Sequence, residues 1–404
     1  MPIISRRQIG GIAMAVAAGG IIVLVAVMIA KAPTRTTAAQ LSDATIVAKL
    51  QTSSKVYPAE LQAMLRATRA APDDLIAAKA AAAALIAEGR AAGDSRLVGA
   101  ASGVLGPFIA DPDVETLNLL VTVRQYQHDF NGALVLLDRA IKQEPANATA
   151  LLNRATIQIV LGRFDLAATD CKRLSDMSRP ELGFLCQSTA LLLTDRAPLV
   201  YQRLQGIVDS PGLLDGSLRG WAIGLMGEIA KLQGDTKTAK MYFTDVLATD
   251  PLALRERLLL ADLLLKDKAA AEVLTLLEPA PDVDGVLIRR VLAAEMTGDQ
   301  QMADAAKAAL DRRFRLNLDL GLTAHAREEA RYFLEIAGDP QLALQRAVVN
   351  WHLQHEFEDA QLLIDSAVAA ENPEAAGPVL AWMAEQSVVA PAFNIPDSVR
   401  KAAK

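Results

Sequence analysis

Aromatic residues and histidines are scarce in this sequence. Of its 404 residues, 4% are aromatic and four are histidine, whereas 52% are hydrophobic. The shortage of aromatic residues disfavours a β-sandwich, and the abundance of Ala and Leu favours packed helices. The high hydrophobic content excludes a disordered chain.

The motifs that mark common catalytic and cofactor sites are also missing. The sequence contains no G-x-G-x-x-G, G-x-x-x-x-G-K-[ST], H-E-x-x-H or C-x-x-C. The net charge is −6, with no long run of one sign, which argues against a nucleic-acid binder. We therefore expect a protein that is not an enzyme and that holds no cofactor and no metal.

A repeat with a period of about 34 residues runs through the middle of the chain. Apolar residues recur at intervals of three and four, and a polar turn interrupts each copy, which predicts pairs of antiparallel helices. Two copies span 114–147 and 148–181, and a third spans 219–252. Large and small residues recur at equivalent positions in them: Leu117 and Leu151, Phe130 and Phe164, and Ala133, Ala167 and Ala239.

This pattern resembles the tetratricopeptide repeat, which has the same period and has small residues where its helices cross. The resemblance implies an all-α fold in which helix pairs stack into a solenoid, here over residues 58–390, because one pair cannot bury its own apolar face. Gly99, Gly103 and Gly106 are predicted to form the small face of a degenerate copy. Residues 391–404 are predicted to be a frayed tail.

The resemblance also implies a binding surface, because tetratricopeptide proteins usually hold a peptide or helix on the face formed by the first helix of each pair. Carrying those positions over predicts partner-binding residues Asn118, Gln125, Tyr126, Asn153, Thr156, Trp221, Glu228 and Lys231. Tyr126 and Trp221 are the predicted hot spots. The alternative is that both pack against a neighbouring repeat. The family's carboxylate clamp is not expected, since only Asn153 fits it.

An uncharged segment of 22 residues, 9–30, follows an eight-residue N-terminal tail. It matches the ~20 residues needed to cross a bilayer as a helix, so we predict a membrane anchor. A cleaved signal peptide is the alternative, although the apolar run is long for one and Pro33 follows the Ala30-Lys31-Ala32 sequence. Residues 31–57 read as a linker.

The tail, the span and the long carboxyl domain are typical of a signal anchor, so we expect the solenoid to be periplasmic. Arg6 and Arg7 before the span are balanced by Lys31 and Arg35 after it, so the charge rule does not decide the orientation. Small residues four apart on the predicted span could pair two such helices into a homodimer: Gly11, Ala15 and Gly19. The alternative is the ordinary abundance of such residues in membrane helices.

The two cysteines, Cys171 and Cys186, lie on either side of a predicted helix turn. Two antiparallel helices joined at that turn would place both residues at the same height, which a disulfide requires. The alternative is a pair of buried free thiols. A disulfide would fit an oxidising compartment.

As a whole the chain resembles bacterial envelope proteins that combine one membrane anchor with a repeat domain. This resemblance implies a membrane-tethered interaction scaffold or assembly factor of the bacterial cell envelope, whose partners are expected to be envelope proteins or peptides and not nucleic acid. The alternative is a metal-dependent or hydrolytic enzyme module that uses a cluster of acids and histidines near the carboxyl end. That cluster comprises His352, His355, Glu356, Glu358 and Asp359, but its spacing fits no tight metal-binding motif.

Overall fold

The computed structural model describes residues 57–177, 179–210 and 212–402, and their backbone is predominantly helical. The first half contains α1 (Ala59–Ala70), α2 (Leu75–Ala92), α3 (Ser95–Leu105), α4 (Val114–Tyr126), α5 (Phe130–Gln143), α6 (Ala148–Val160), α7 (Phe164–Asp176), α8 (Pro180–Leu191), α9 (Ala197–Val208) and α10 (Gly216–Leu232). The second half contains α11 (Thr236–Thr249), α12 (Leu254–Lys266), α13 (Ala270–Leu277), α14 (Asp284–Thr297), α15 (Gln300–Asp319), α16 (Ala326–Tyr332), α17 (Pro340–Trp351), α18 (Phe357–Ala369), α19 (Gly377–Glu385) and α20 (Asp397–Ala402).

The predicted helix pairs are present at the predicted spacing. Helices α4 and α6 begin at Val114 and Ala148, and α5 and α7 begin at Phe130 and Phe164. Both intervals equal the period of the sequence repeat, so the two pairs repeat one unit. Consecutive helices pack as antiparallel pairs, and each pair stacks on the next. This confirms an all-helical fold of the tetratricopeptide-like type.

Polar side chains that precede the first residue of these helices explain where the helices begin. Asp113, Asp129, Asn147 and Asp235 each accept a hydrogen bond of 2.9–3.1 Å from a backbone N–H three residues later. Such caps satisfy donors that have no partner within the helix. The turns of the repeat are therefore encoded locally.

Small residues lie where the helices of a pair cross. Ala133, Ala167 and Ala239 are fully buried, and a Cβ atom added to Gly227 would lie 2.7 Å from the ring of Phe243. Close approach of α10 and α11 thus requires glycine at this position.

The prediction that three glycines form the small face of a degenerate copy is wrong. A Cβ atom at Gly99, Gly103 or Gly106 would meet nothing within 4 Å. Helix α3 instead buries its apolar side chains, including Leu97 and Val98, because these larger side chains fill the space against α2.

Cys171 on α7 and Cys186 on α8 are joined by a disulfide bond, with Cα atoms 5.4 Å apart. Both residues are buried. The covalent bond therefore ties one helix pair to the next at the turn between α7 and α8.

The carboxyl end differs from the predicted frayed tail. Residues beyond α19 pack back onto the middle of the solenoid: the backbone N–H of Val389 donates to Leu193 O (2.7 Å), and that of Ala392 donates to Leu232 O (3.0 Å). Helix α20 follows, and its Val399 is fully buried. Apolar side chains in the segment after α19 provide the reason, because they join a core shared with α17 and α18.

The predicted tail 1–8, the predicted span 9–30 with Gly11, Ala15 and Gly19, and linker residues 31–56 lie outside the described residues. Among the residues that the structure does describe, no helix is both long and apolar enough to cross a membrane.

Candidate functional site

A cavity of about 350 Å³ lies on the face formed by the first helices of consecutive pairs. Helices α6, α8, α10 and α12 supply most of its walls, and the turn that leads into α18 closes it from the other side. The apolar part of the wall includes Ile159, Leu192, Trp221, Leu225 and Phe357. Charged side chains from α10, α12 and α18 complete it.

The structure brings four of the eight predicted partner-binding residues to this cavity. They are Thr156 on α6 and Trp221, Glu228 and Lys231 on α10. Trp221 is half-buried: it packs against two of the core clusters and also lines the cavity. Packing against a neighbouring repeat therefore accounts for part of its side chain, and its role in binding stays a prediction.

The other four predicted residues, Asn118, Gln125, Tyr126 and Asn153, do not line the cavity. The Tyr126 side chain packs against the core formed by α1 to α4, and its burial raises the pKa of the phenol. For Tyr126 the structure therefore favours the alternative of packing against a neighbouring repeat.

Ion pairs link α10 and α12 to the start of α18. Lys231 pairs with Glu358 and lies 4.8 Å from the centre of the Phe357 ring. Burial alone would raise the pKa of Glu358, but Lys231 and Arg255 together hold it well below its usual range. These charged side chains of the cavity wall are therefore paired with one another.

Arg255 is a second bridge across the cavity. Its guanidinium donates to both carboxylate oxygens of Glu228, at 3.0 and 2.8 Å, and to Glu356 at 3.2 Å. The sequence prediction missed Arg255, although it lies one full period after Trp221 and so occupies the equivalent position of the next helix pair.

Carboxylates of the predicted enzyme cluster are held by arginines. Arg327 pairs with Glu356 at 2.6 Å and with both oxygens of Asp359, at 2.6 and 2.7 Å. Within the described part of the chain, no group of three or more His, Cys, Asp or Glu side chains is placed to hold a metal ion. No observation favours the enzyme module over the scaffold.

His355 has a packing role at the edge of the cavity. Its ring lies 4.2 Å from the Trp351 ring, and its backbone N–H donates to Val160 O at 2.7 Å. Burial, together with the nearby Arg163 and His352, lowers the pKa of His355 to about 4. The imidazole is thus neutral at pH 7.

The Glu256 carboxylate differs from the other acids of the wall. It lines the cavity from the first turn of α12, and no ion pair of the described residues includes it. A Cβ atom at Gly224 would lie 3.1 Å from Glu256 Oε1, so the carboxylate rests against the bare backbone of α10. No predicted copy of the repeat covers α12, so the sequence prediction missed this residue.

The stacked helix pairs and the cavity on their first-helix face define a tetratricopeptide-like helical repeat protein. No family model matches the sequence, and no curated protein matches it. Among solved structures, the chain is similar to the crystal structure of yeast Tom70, with 11% identity, coverage of 85% of this chain and 83% of that chain, and a TM-score of 0.37. It is also similar to the TPR domain of P58(IPK), with 12% identity, coverage of 72% and 96%, and a TM-score of 0.25.

Proposed function

We propose that this chain is a protein–protein interaction scaffold that holds a segment of another protein at the cavity between α6, α8, α10 and α12. The observation that supports this most is the convergence of Thr156, Trp221, Glu228 and Lys231 on one cavity. A volume of about 350 Å³ lies at the lower end of the ~300–1,000 Å³ range of ligand pockets. It suits one or two large side chains that anchor a peptide or helix running over the face.

The polar wall residues and the aromatic one have different tasks in this proposal. Glu228 and Lys231 are already paired with Arg255 and Glu358, so they keep the cavity walls in place. Trp221 and Thr156 remain for the partner. A half-buried tryptophan offers a large rigid contact area at small entropic cost, which is typical of binding hot spots.

We further propose that the predicted anchor at residues 9–30 tethers this scaffold to the bacterial inner membrane, with the solenoid in the periplasm. The Cys171–Cys186 disulfide supports an oxidising compartment. A tethered scaffold would raise the effective concentration of envelope partners at the membrane. Pairing through Gly11, Ala15 and Gly19 would add a second copy of the cavity.

Photocrosslinking in intact cells tests the interaction surface. Thr156 on α6 and Thr169 on α7 are both exposed, and each hydroxyl donates to the carbonyl oxygen four residues earlier. They form a matched pair, because one lies in the cavity wall and the other on the second helix of the same pair. A photoreactive residue at 156 should give discrete protein adducts identifiable by mass spectrometry, whereas the same residue at 169 should not. Equal adducts at both positions, or none at 156, would contradict the proposal.

A further inference from the structure

The cavity wall carries more acidic than basic side chains. Its acids and bases are Glu228, Glu256, Glu356 and Glu358 against Lys231 and Arg255. Arg327 supplies a further positive charge to Glu356 from outside the wall. Three of the four acids thus have cationic partners, and Glu256 is the wall carboxylate that lacks an ion pair among the described residues.

The surroundings of Glu256 are poor in groups that could replace its solvation. Burial raises the pKa of its carboxyl, and the nearby Glu228 raises it as well, while a backbone N–H and the adjacent Arg255 lower it only in part. The amino end of α12 gives some compensation, because an acid in the first turn interacts favourably with the helix dipole. The nearest cation, Arg255, is engaged by Glu228 and Glu356. A partly desolvated carboxylate that has no ion pair of its own remains unfavourable, so a ligand that brings a positive charge would gain most here.

The position of the carboxylate also indicates the shape of such a ligand. Gly224, against which Glu256 rests, lies three residues after Trp221 and four before Glu228. Residues at these spacings share one helix face, so the carboxylate is flanked by an indole ring on one side and a second acid on the other. Leu225 and Leu192 add apolar surface to the same cavity.

We propose that the cavity receives a lysine or arginine side chain of the partner segment, whose cationic head pairs with Glu256 and whose aliphatic stem packs against Trp221. This inference rests on the proposed function, since it names the side chain that anchors the partner. A long basic side chain satisfies both parts of the site, because its stem is apolar and its head is charged. Trp221 adds a cation–π attraction if the head passes over its face. An acidic anchor would meet uncompensated negative charge, and a purely apolar one would leave Glu256 buried without a partner.

Selection from a random 12-residue peptide library tests this inference on the full-length protein. Three forms are compared: the wild type, Glu256→Gln, and Glu278→Gln as a control for loss of one negative charge. Glu278 follows α13, is exposed, and has no ion pair in the described part of the chain. Affinities of the selected peptides are then measured by fluorescence anisotropy, with each basic residue replaced in turn by norleucine.

The wild type and Glu278→Gln should select peptides with a recurrent Lys or Arg, and norleucine at that position should weaken binding at least tenfold. Glu256→Gln should weaken the same peptides at least tenfold and should no longer distinguish Lys or Arg from norleucine. If the wild type selects peptides without a recurrent basic residue, or if Glu256→Gln binds them equally, the inference is overturned while the scaffold proposal stands. If the wild type selects no peptide, the scaffold proposal itself is contradicted, and the inference falls with it.

Discussion

The indole Nε1–H of Trp382 donates a 3.2 Å hydrogen bond to the backbone carbonyl of Gly162, 220 residues earlier in the chain. Next to this bond, the backbone N–H of Phe164 donates to Gln386 Oε1 at 3.3 Å, and the Phe164 ring meets Trp382 edge-on. Helix α19 is therefore docked onto the turn between α6 and α7. This contact places the carboxyl-terminal repeats beside the cavity and allows α18 to close it.

We expect Gly162→Ala to be much more destabilising than Gly234→Ala. Both glycines end a first helix with positive φ, 68° and 84°, so alanine costs roughly 1–2 kcal/mol at either site. Only at Gly162 would the added Cβ atom also lie 2.3 Å from Trp382 Nε1, since nothing lies within 4 Å at Gly234. This overlap should cost a further ~1–3 kcal/mol, measured as the free energy of unfolding in urea.

The Trp382→Ala background provides the control for that comparison. Without the indole, the difference between the two alanine variants should shrink towards zero, because the backbone strain is common to both. Only the milder contact with His355 Cβ, at 3.0 Å, would remain at Gly162. A difference that persists at full size in this background would show that the overlap with Trp382 is not its cause.

The repeat can be predicted because it depends on local sequence patterns. The docking of the carboxyl-terminal segment cannot, because it depends on a contact between residues far apart in the chain. The period of α4 to α7 is visible in Ala133 and Ala167 because helix crossing imposes a size limit on single positions. The contact between Trp382 and Gly162 depends on the number of helix pairs between them, because that number determines where α19 lies relative to α6 and α7. No short window of sequence contains that information, so the sequence predicts a tail where the structure has a docked segment.

The predicted partner-binding residues divide for the same physical reason into those that line the cavity and those that do not. Both Trp221 and Tyr126 lie on the first helix of a pair, which is the criterion that the sequence supplies. Whether the face is open depends on neighbouring elements. The core formed by α1 to α4 covers Tyr126, whereas the space beside Trp221 is a cavity.

Two glycines of α10 should respond to alanine in opposite directions. At Gly224 the new Cβ atom would meet only Glu256, at 3.1 Å from Oε1. The flexible carboxylate can move, so Gly224→Ala should gain about 1 kcal/mol of helix stability while weakening binding of a basic peptide. Gly227→Ala places a Cβ atom 2.7 Å from the Phe243 ring and should lose ~1–3 kcal/mol. Thermal melting of both variants distinguishes them, and a loss of stability in Gly224→Ala would contradict the packing described here.

The Cys171–Cys186 bond should be present in protein taken from its native environment. Its sequence separation is 15 residues, for which closing the loop in the unfolded chain contributes about 3 kcal/mol. Alkylation of denatured, unreduced protein should label neither cysteine, and prior reduction should expose both. Reduction should also lower the unfolding free energy by about that amount. Labelling of both cysteines without reductant would contradict the bond and would weaken the case for a periplasmic solenoid.

Stability should fall as the pH is lowered from about 6.5 towards 4, in part because of His355. Its pKa is lowered to about 4 by burial, whereas the unfolded chain binds this proton near pH 6.5. The unfolded state is therefore favoured as the pH falls through this range. His355→Phe keeps a ring against Trp351 but does not titrate, so its stability should depend less on pH between 7 and 4.5. An unchanged pH dependence in this variant would show that His355 does not contribute.

The central claim, that a partner segment occupies the cavity, is tested most directly by filling the cavity mouth. Thr156→Trp adds neutral bulk at the wall, and Thr169→Trp adds the same bulk on the second helix of the same pair. The measurement is the dissociation constant of one wild-type-selected peptide for the full-length form of each variant. We predict that binding weakens at least tenfold for Thr156→Trp and stays within twofold of wild type for Thr169→Trp, with similar melting temperatures. Unchanged affinity in Thr156→Trp, or equal loss in both variants, would contradict the assignment of this cavity as the binding site.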